Sequence, residues 1–317
     1  MVNNSIVENL LFIVGCPRSG TTLLRRVIGT APDVYEIPDE TAFFRSFYGK
    51  YGKPNKIKWK KLLKHFSRTY AFKTSKVSEK KLYRVLEQEE DINYASFYKT
   101  FALMSSKEKF LKFPPRIIIE KTPTHTHNVR LICKMFQNAK IIGIVRDPCS
   151  VVASNIKYGI VRLWYLQSKR AKIIGGTWEW LRHYKELQKL KEELPNERLL
   201  LISFEDLVNR PKKTIEEINS FLNTDIPIDI LPFKLDKTRI NMYKNYFTKS
   251  DIRIIARLLE GNYKEIVGEY NKSFAIFYKI PILVYRLLFL FEVWMADNIH
   301  PKIKRVFKIF RGDVVIY

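Results

Sequence analysis

The sequence feature that most constrains the fold is a short apolar run, rich in branched side chains, that ends at a polar turn and is followed by a helical pattern. Residues 10–14 form one such run, and a helix is predicted over residues 21–30. Residues 141–145 repeat the pattern, with a helix predicted from about residue 150. Runs in which every position is apolar are typical of strands buried on both faces of a parallel sheet.

Further segments fit the same alternation. Residues 117–119 and 199–202 predict two more strands, residues 214–222 predict a helix, and residues 252–259 predict another, capped by Ser250 or Asp251. Strands that alternate with helices predict an α/β fold, here a three-layer sandwich with a mostly parallel central sheet flanked by helices.

The loop after the first predicted strand reads Gly15-Cys16-Pro17-Arg18-Ser19-Gly20-Thr21-Thr22. Glycines allow a tight turn, and the N-terminus of the following helix offers N–H groups to an anion. Ser19, Thr21 and Thr22 add hydroxyl donors, and Arg18 adds a positive charge. The spacing is close to that of the P-loop GxxxxGK[ST], but Thr21 stands where the P-loop has lysine. That lysine normally reaches the β/γ-phosphates, so we predict a phosphate site of a different kind from that of an ATPase or kinase.

Two signatures make the chain resemble the sulfotransferases that use 3′-phosphoadenosine-5′-phosphosulfate (PAPS). Residues 12–24, FIVGCPRSGTTLL, resemble the loop that binds the 5′-phosphosulfate. Residues 144–148, IVRDP, with Ser154 eight positions after Arg146, resemble the segment that holds the 3′-phosphate. The resemblance covers residues 10–225 and implies a P-loop-type fold, PAPS as donor and 3′-phosphoadenosine 5′-phosphate (PAP) as product. A weaker match at residues 203–207 has Phe204 where the family often has tyrosine.

The same resemblance proposes the catalytic residues. Arg18 in the loop and Lys121, which follows a predicted strand, are the expected cations for the sulfate and the leaving group. Glu40 matches the glutamate base of the tyrosylprotein branch, which has arginine two positions later where this chain has Ala42. His125 is the rival base, because cytosolic sulfotransferases place a histidine just after the matching lysine.

No metal site is expected. His125 and His127 are two residues apart, but no neighbouring cysteine or third ligand supports a metal pair. The three cysteines, Cys16, Cys133 and Cys149, are too few and too scattered for a disulfide scaffold.

The charge and the C-terminal sequence bear on partners. The chain carries 56 basic and 32 acidic residues, a net charge of +24, which is typical of a protein with an anionic partner. Residues 275–295 are apolar but interrupted by charges, and residues 302–311 are amphipathic and basic. Two interpretations stay open for this tail, a helix lying on an anionic membrane surface and a helix packed on the domain.

These observations together predict a sulfotransferase domain over residues 1–272 and a basic helical extension over residues 273–317. The polar N-terminus and short first apolar run predict no signal peptide, and the interrupted tail predicts no transmembrane helix, so we expect a cytoplasmic protein with peripheral membrane contact. An aromatic cluster, together with the basic tail, favours a glycan or lipid-linked glycan as acceptor. It consists of Tyr158, Trp164, Tyr165, Trp178 and Trp180.

Three alternatives remain. One is a different acceptor, a peptide tyrosine or a small-molecule hydroxyl. The second is a P-loop nucleotide-dependent kinase, which would need Mg²⁺ and ATP. The third is a non-enzymatic basic module that binds a membrane or nucleic acid, although no nucleic-acid partner is expected from the motifs.

Overall fold

The computed structural model describes residues 10–107, 115–158, 168–230 and 235–259. These residues belong to two compact units. The first unit contains the described residues up to Val145 and those from Lys185 to Leu235, and the second contains those from Arg146 to Tyr184 and those from Asp236 onward. The predicted boundary at residue 272 lies outside the described residues.

Seven strands lie in the first unit. They are β1 (Leu10–Gly15), β2 (Val34–Glu36), β3 (Gly52–Lys53), β4 (Lys56–Ile57), β5 (Ile117–Lys121), β6 (Lys140–Val145) and β7 (Leu199–Ser203). Five of them form one parallel sheet in the order β2-β5-β1-β6-β7, and β3 and β4 form an antiparallel hairpin. All six residues of β1 are buried, as expected of a central strand covered on both faces.

Both units contain helices. Those of the first unit are α1 (Thr21–Ile28), α2 (Phe43–Ser46), α3 (Trp59–Phe66), α4 (Tyr70–Thr74), α5 (Glu79–Glu87), α6 (Tyr94–Lys107), α7 (Val129–Met135), α10 (Phe204–Asn209) and α11 (Pro211–Leu222). The second unit contains α8 (Pro148–Tyr158) and α12 (Lys249–Leu259), and α9 (Lys169–Glu193) runs from the second unit into the first. Short 3-10 helices lie at Pro123–Asn128, Ile228–Ile230, Lys237–Arg239 and Met242–Asn245.

The predicted fold class is confirmed. The four predicted strands became β1, β5, β6 and β7, each slightly longer than predicted. The helix expected from residue 150 begins at Pro148, because proline is well tolerated in the first turn of a helix. Sequence analysis missed β2, whose three residues carry too little pattern to stand out.

An aromatic core covers one side of the sheet and fixes α2. The ring of Phe12 on β1 lies 5.7 Å from that of Phe44, and Phe43 lies 4.9 Å from Tyr98 on α6. Phe43 also packs 5.5 Å from Phe66 on α3. Because α2 begins three residues after Glu40, this packing holds the end of the segment that carries the candidate base.

Candidate active site

The phosphate loop runs from the end of β1 to the start of α1 and takes an unusual backbone conformation. Gly20 precedes α1 with a φ of 98°, and Arg18 has a φ of 74°. A Cβ atom on Gly20 would lie 2.4 Å from the ring of Phe204, so only glycine fits there. Phe204 therefore has a packing role against the loop, at the position where the family often has tyrosine.

The side chains of the loop divide into buried and exposed groups. Ser19 is fully buried, and its Oγ has no hydrogen-bond partner among the described residues. Thr21 is also buried, whereas Arg18 and Thr22 are exposed. A buried hydroxyl without a partner is costly, and its presence beside the N-terminus of α1 is what a loop that binds an oxyanion would show.

The end of β5 lies beside this loop. Ile13 of β1 pairs with Lys121 of β5, so both strands end at the same edge of the sheet. The hydroxyl of Thr126 donates to the carbonyl of Gly15 at 3.4 Å. The tertiary structure thus places the segment with Lys121 and His125 next to the phosphate loop.

Two of the predicted catalytic residues contact each other. The ammonium of Lys121 lies 2.5 Å from Oε1 of Glu40. The side chain of Lys121 is 7% exposed and that of Glu40 is 37% exposed. The buried ammonium is thus paired with a partly exposed carboxylate.

The next residue on β5, Glu120, is the centre of a buried polar network. Its Oε1 accepts hydrogen bonds from the hydroxyl of Thr122 at 2.6 Å and from the hydroxyl and N–H of Thr41 at 2.9 and 3.3 Å. Its Oε2 lies 3.0 Å from Nδ1 of His125. Glu120 and His125 are both fully buried. Glu40 thus binds Lys121, and the next residue, Thr41, binds Glu120, the residue before Lys121.

The surroundings of Glu120 keep it ionised. Burial alone would raise the pKa of this carboxyl group. The charge that His125 carries when protonated, together with hydrogen bonds from His125, Thr122 and Thr41, outweighs burial and lowers the pKa of Glu120. A charged carboxylate is therefore held in the interior by several donors.

Three more contacts fix the segment that carries Glu40. Arg25 on α1 forms an ion pair with Glu36 at 3.0 Å and donates to the carbonyl of Pro38 at 2.7 Å. On the other side, Ala42 has a left-handed backbone with a φ of 47°, and its N–H donates to the hydroxyl of Thr122 at 3.2 Å. A non-glycine residue rarely adopts this conformation unless its surroundings hold it there.

The second unit contains the other predicted binding residues. Arg146 is 5% exposed, and its guanidinium donates to the carbonyl of Arg239. Ser154 on α8 is 3% exposed. The next residue, Asn155, is 1% exposed, and neither atom of its amide finds a partner among the described residues. Such a buried amide next to Ser154 is a candidate for ligand contact that sequence analysis missed.

The structure therefore groups the predicted site residues in two sets. The first unit contains Arg18, Ser19, Gly20, Thr21, Thr22, Glu40, Lys121 and His125, and the second contains Arg146 and Ser154. Sequence analysis missed Glu120, Thr41, Thr122 and Asn155. For Glu120 a signal existed, because a carboxylate that directly follows the apolar run Ile117-Ile118-Ile119 in a buried strand needs a polar partner.

The aromatic cluster expected near the acceptor is only partly described. Trp164 and Tyr165 lie outside the described residues. Trp180 is 1% exposed, stacks 4.9 Å from Tyr184 and donates to the carbonyl of Arg146 at 2.9 Å, so it is a core residue. Tyr158 is 54% exposed.

The predictions about metal sites, cysteines and membrane-spanning helices can be compared with the described residues only. Within them, no group of three metal-binding side chains occurs. His125 is bound to Glu120, and His127 is exposed. All three cysteines are free. No helix in the described ranges has the length and apolar character to cross a membrane, and the predicted tail over residues 273–317 lies outside them.

Comparison with known proteins relates this chain to one family. A model of the "Sulfotransferase family" matches residues 11–227. A Caenorhabditis briggsae protein described as "Putative protein-tyrosine sulfotransferase" is 24% identical over 218 residues, which cover 68% of this chain and 66% of that protein. The match thus spans slightly less than two thirds of the relative's length.

A solved sulfotransferase domain shares the fold of this chain. The sulfotransferase domain of the Synechococcus PCC 7002 olefin synthase has a TM-score of 0.51 at 18% identity, covering 78% of this chain and 94% of that domain. The mouse sulfotransferase SULT7A1, solved with PAP, has a TM-score of 0.48 at 17% identity, covering 83% of this chain and 86% of that one. The family that the sequence signatures predict is confirmed. Since the family match extends over more than half of its length, this chain belongs to the sulfotransferase family.

Proposed function

We propose that this protein transfers a sulfuryl group from PAPS to an acceptor hydroxyl. The observation that carries the proposal is the phosphate loop. It brings together the N-terminus of α1, a positive-φ Gly20 and the buried hydroxyl of Ser19, which has no hydrogen-bond partner among the described residues. These groups fit a phosphosulfate, because they offer hydrogen-bond donors to an oxyanion without the lysine of an ATPase P-loop. Arg18 adds an exposed cation to the same loop.

Arg146 and Ser154 are our candidates for holding the 3′-phosphate. Arg146 and Ser154 match the family signature and are both buried. We add Asn155, because its buried amide has both a donor and an acceptor to satisfy. PAPS supplies the activated sulfuryl group, and the protein contributes binding, orientation and charge stabilisation.

Thermal stabilisation by PAP tests the donor. A ligand that binds only the folded state adds about 2.7 kcal/mol at 100 times its Kd. PAP is expected to stabilise the wild-type protein much more than ADP does, and Arg146→Ala should remove that difference. An equal or larger effect of ATP with Mg²⁺ would instead favour the kinase alternative.

We assign Glu40 as the general base. Glu40 is partly exposed beside Lys121, whereas His125 is fully buried and bound to Glu120. An acceptor can reach the first residue and not the second without a rearrangement. Lys121 is then the cation that moves from Glu40 toward the negative charge on the leaving oxygen.

Comparing three variants tests this assignment. Glu40→Gln should lower kcat by 10²-fold or more, roughly the contribution of a general base, with PAP affinity unchanged. His125→Asn should lower stability more than it lowers kcat in the remaining folded protein. If Glu40→Gln retains near-native turnover and His125→Asn loses it with the fold intact, His125 is the base.

Glu120 then has a positioning role. It binds Thr41 directly, and Ala42 through Thr122, so it holds the backbone on the C-terminal side of Glu40. A strained Ala42 keeps its conformation only while these contacts persist. A general base accelerates the reaction fully only when it is placed precisely, since small displacements lower the rate strongly.

The acceptor is proposed to be a glycan or a lipid-linked glycan. The exposed Tyr158, with the ammonium of Lys157 5.2 Å from its ring, and the basic sequence of residues 302–311 support this choice. The Caenorhabditis briggsae relative makes a peptide tyrosine the alternative acceptor. Ala42, which stands where the tyrosylprotein branch has arginine, favours the glycan. Sulfate incorporation into a tyrosine peptide and into an oligosaccharide, compared side by side, decides between them.

A further inference from the structure

One stretch of the first unit is unusually basic. Residues 41–78 contain eleven lysine and arginine residues and no aspartate or glutamate. All eleven are exposed. We call this surface the basic face. It begins directly after Glu40, so it is continuous in sequence with the candidate base.

The basic side chains share one set of packed elements. In the β3–β4 hairpin, Lys53 lies opposite Lys56. In α3, Lys60, Lys61 and Lys64 are exposed, whereas the apolar residues between and after them are buried. α2, α3 and α4 meet beneath these lysines through Phe43, Phe66 and Phe72, whose rings lie 5.5 to 5.6 Å apart in successive pairs.

This arrangement has an energetic cost in the free protein. Like charges directly opposite each other on neighbouring strands destabilise a hairpin, and like charges four residues apart destabilise a helix. Lys53 and Lys56 are the first kind of pair, and Lys60 and Lys64 are the second. A bound polyanion would remove the repulsion in both places.

The protein itself supplies little compensation. Lys60 forms an exposed ion pair with Glu87 at 3.6 Å and lies 5.3 Å from the ring of Trp59. Among the described residues, no carboxylate forms an ion pair with Lys56, Lys61 or Lys64. Their charges are therefore available to a ligand.

The basic face is joined to the candidate active site by α2. The ring of Phe44 lies 5.2 Å from that of His125, and the N–H of Ala42 is bound to Thr122. Aromatic rings are interspersed with the cations, notably Tyr70, which is 61% exposed, and the partly exposed Trp59. Rings of this kind stack on the apolar faces of sugars, which a lipid headgroup or an acidic peptide does not offer.

We propose that the basic face binds an anionic glycan, a polysaccharide whose sugar units carry carboxylate or sulfate groups, and presents one of its hydroxyls to Glu40. The proposal rests on the sulfotransferase function proposed above and narrows its acceptor to a charged polymer. Long-range attraction between the face and such a polymer also speeds their encounter at low salt.

The test compares binding of four fluorescent probes at low salt. These are polygalacturonate, neutral dextran, poly-glutamate and vesicles that contain phosphatidylglycerol. The variant Lys56→Glu/Lys61→Glu/Lys64→Glu changes the basic face. The matched control Lys189→Glu/Lys212→Glu/Lys213→Glu makes the same charge change at exposed lysines elsewhere in the first unit. PAP stabilisation of all three proteins is measured in parallel.

We expect wild-type protein to bind polygalacturonate and not dextran. The basic-face variant should bind polygalacturonate roughly tenfold more weakly or worse, because three attractive contacts become repulsive, and the control should change less than about threefold. Binding should weaken as salt rises.

Three results would overturn the proposal. An equal loss in the control variant would mean that net charge alone attracts the polymer. If the basic-face variant loses more affinity for vesicles or poly-glutamate than for polygalacturonate, the basic face would be assigned to a membrane or an acidic peptide. No binding of polygalacturonate to wild type would also refute it. Unchanged PAP stabilisation in any of these cases leaves the proposed donor function standing, and an absence of PAP binding contradicts that function independently of the polymer.

Discussion

Glu120 is the residue whose replacement most directly tests how the candidate site is built. In Glu120→Gln, one oxygen remains to accept from Thr41 and Thr122, but an NH₂ group replaces the oxygen that faces Nδ1 of His125. The variant therefore loses one charge-assisted hydrogen bond and leaves His125 without its partner in a fully buried place.

The size of the effect follows from these contacts. A hydrogen bond to a charged group contributes about 1.5–3 kcal/mol, and breaking a buried charged pair costs about 3–5 kcal/mol. Because the glutamine keeps part of the network, we expect the free energy of unfolding to fall by about 2–4 kcal/mol. Urea unfolding followed by circular dichroism measures this change. Glu216→Gln, at an exposed position on α11, is the matched control and should stay within about 0.5 kcal/mol of wild type.

The pH dependence of the difference gives a second readout. The pKa of Glu120 in the folded chain lies below its ordinary value of 4.5. The carboxylate therefore stabilises the fold fully above pH 4.5, and this contribution is lost as the pH falls through the folded-state pKa. The stability gap between wild type and Glu120→Gln should be complete at pH 5 and shrink on further acidification. A gap below about 1 kcal/mol, or one that does not shrink, would refute the reasoning.

Measuring kcat distinguishes a positioning role of Glu120 from a contribution to stability alone. If Glu120 positions Glu40, folded Glu120→Gln protein should have a lower kcat with little change in PAP affinity, and Glu120→Asp should restore part of that kcat. A purely structural role would instead leave kcat per folded molecule unchanged.

The remaining predictions concern packing and reactivity. Gly20→Ala should destabilise the fold by about 1–3 kcal/mol and abolish PAP stabilisation, because the φ of Gly20 is positive and a Cβ atom there would overlap the ring of Phe204. Thermal unfolding with and without PAP measures both effects. An unchanged PAP response would contradict the assignment of this loop to phosphate binding. Trp180→Phe should lower the unfolding free energy by about 1–2 kcal/mol through loss of the bond to the Arg146 carbonyl, and an unchanged urea midpoint would exclude that role. Burial raises the pKa of the Cys133 thiol despite the opposing effect of a nearby arginine. At neutral pH, native protein should therefore react with Ellman's reagent much more slowly than protein in urea. Equal reaction rates would contradict this prediction.

Much of the fold was predictable because its signals are local. Five buried residues in a row at the start of β1, followed by glycines and a double threonine, already predict a strand, an anion-binding turn and a helix. The central strands, the turn after β1 and the start of α1 depend on neighbours in sequence, which is why these predicted elements agree with the structure. The short β2 and the small helices between α2 and α6 depend on aromatic packing across the chain, and no local pattern predicted them.

The sequence alone therefore determined the family, the parallel sheet and the individual candidates Arg18, Glu40, Lys121 and His125, because each is recognised from residues close together in the chain. The tertiary structure decided how they are related. It paired Glu40 with Lys121 and bound His125 to Glu120, contacts that depend on strand pairing and on the packing of α2. Contacts such as that between Lys121 and Glu40, 81 residues apart, arise only when strands from distant parts of the chain end at the same edge of one sheet.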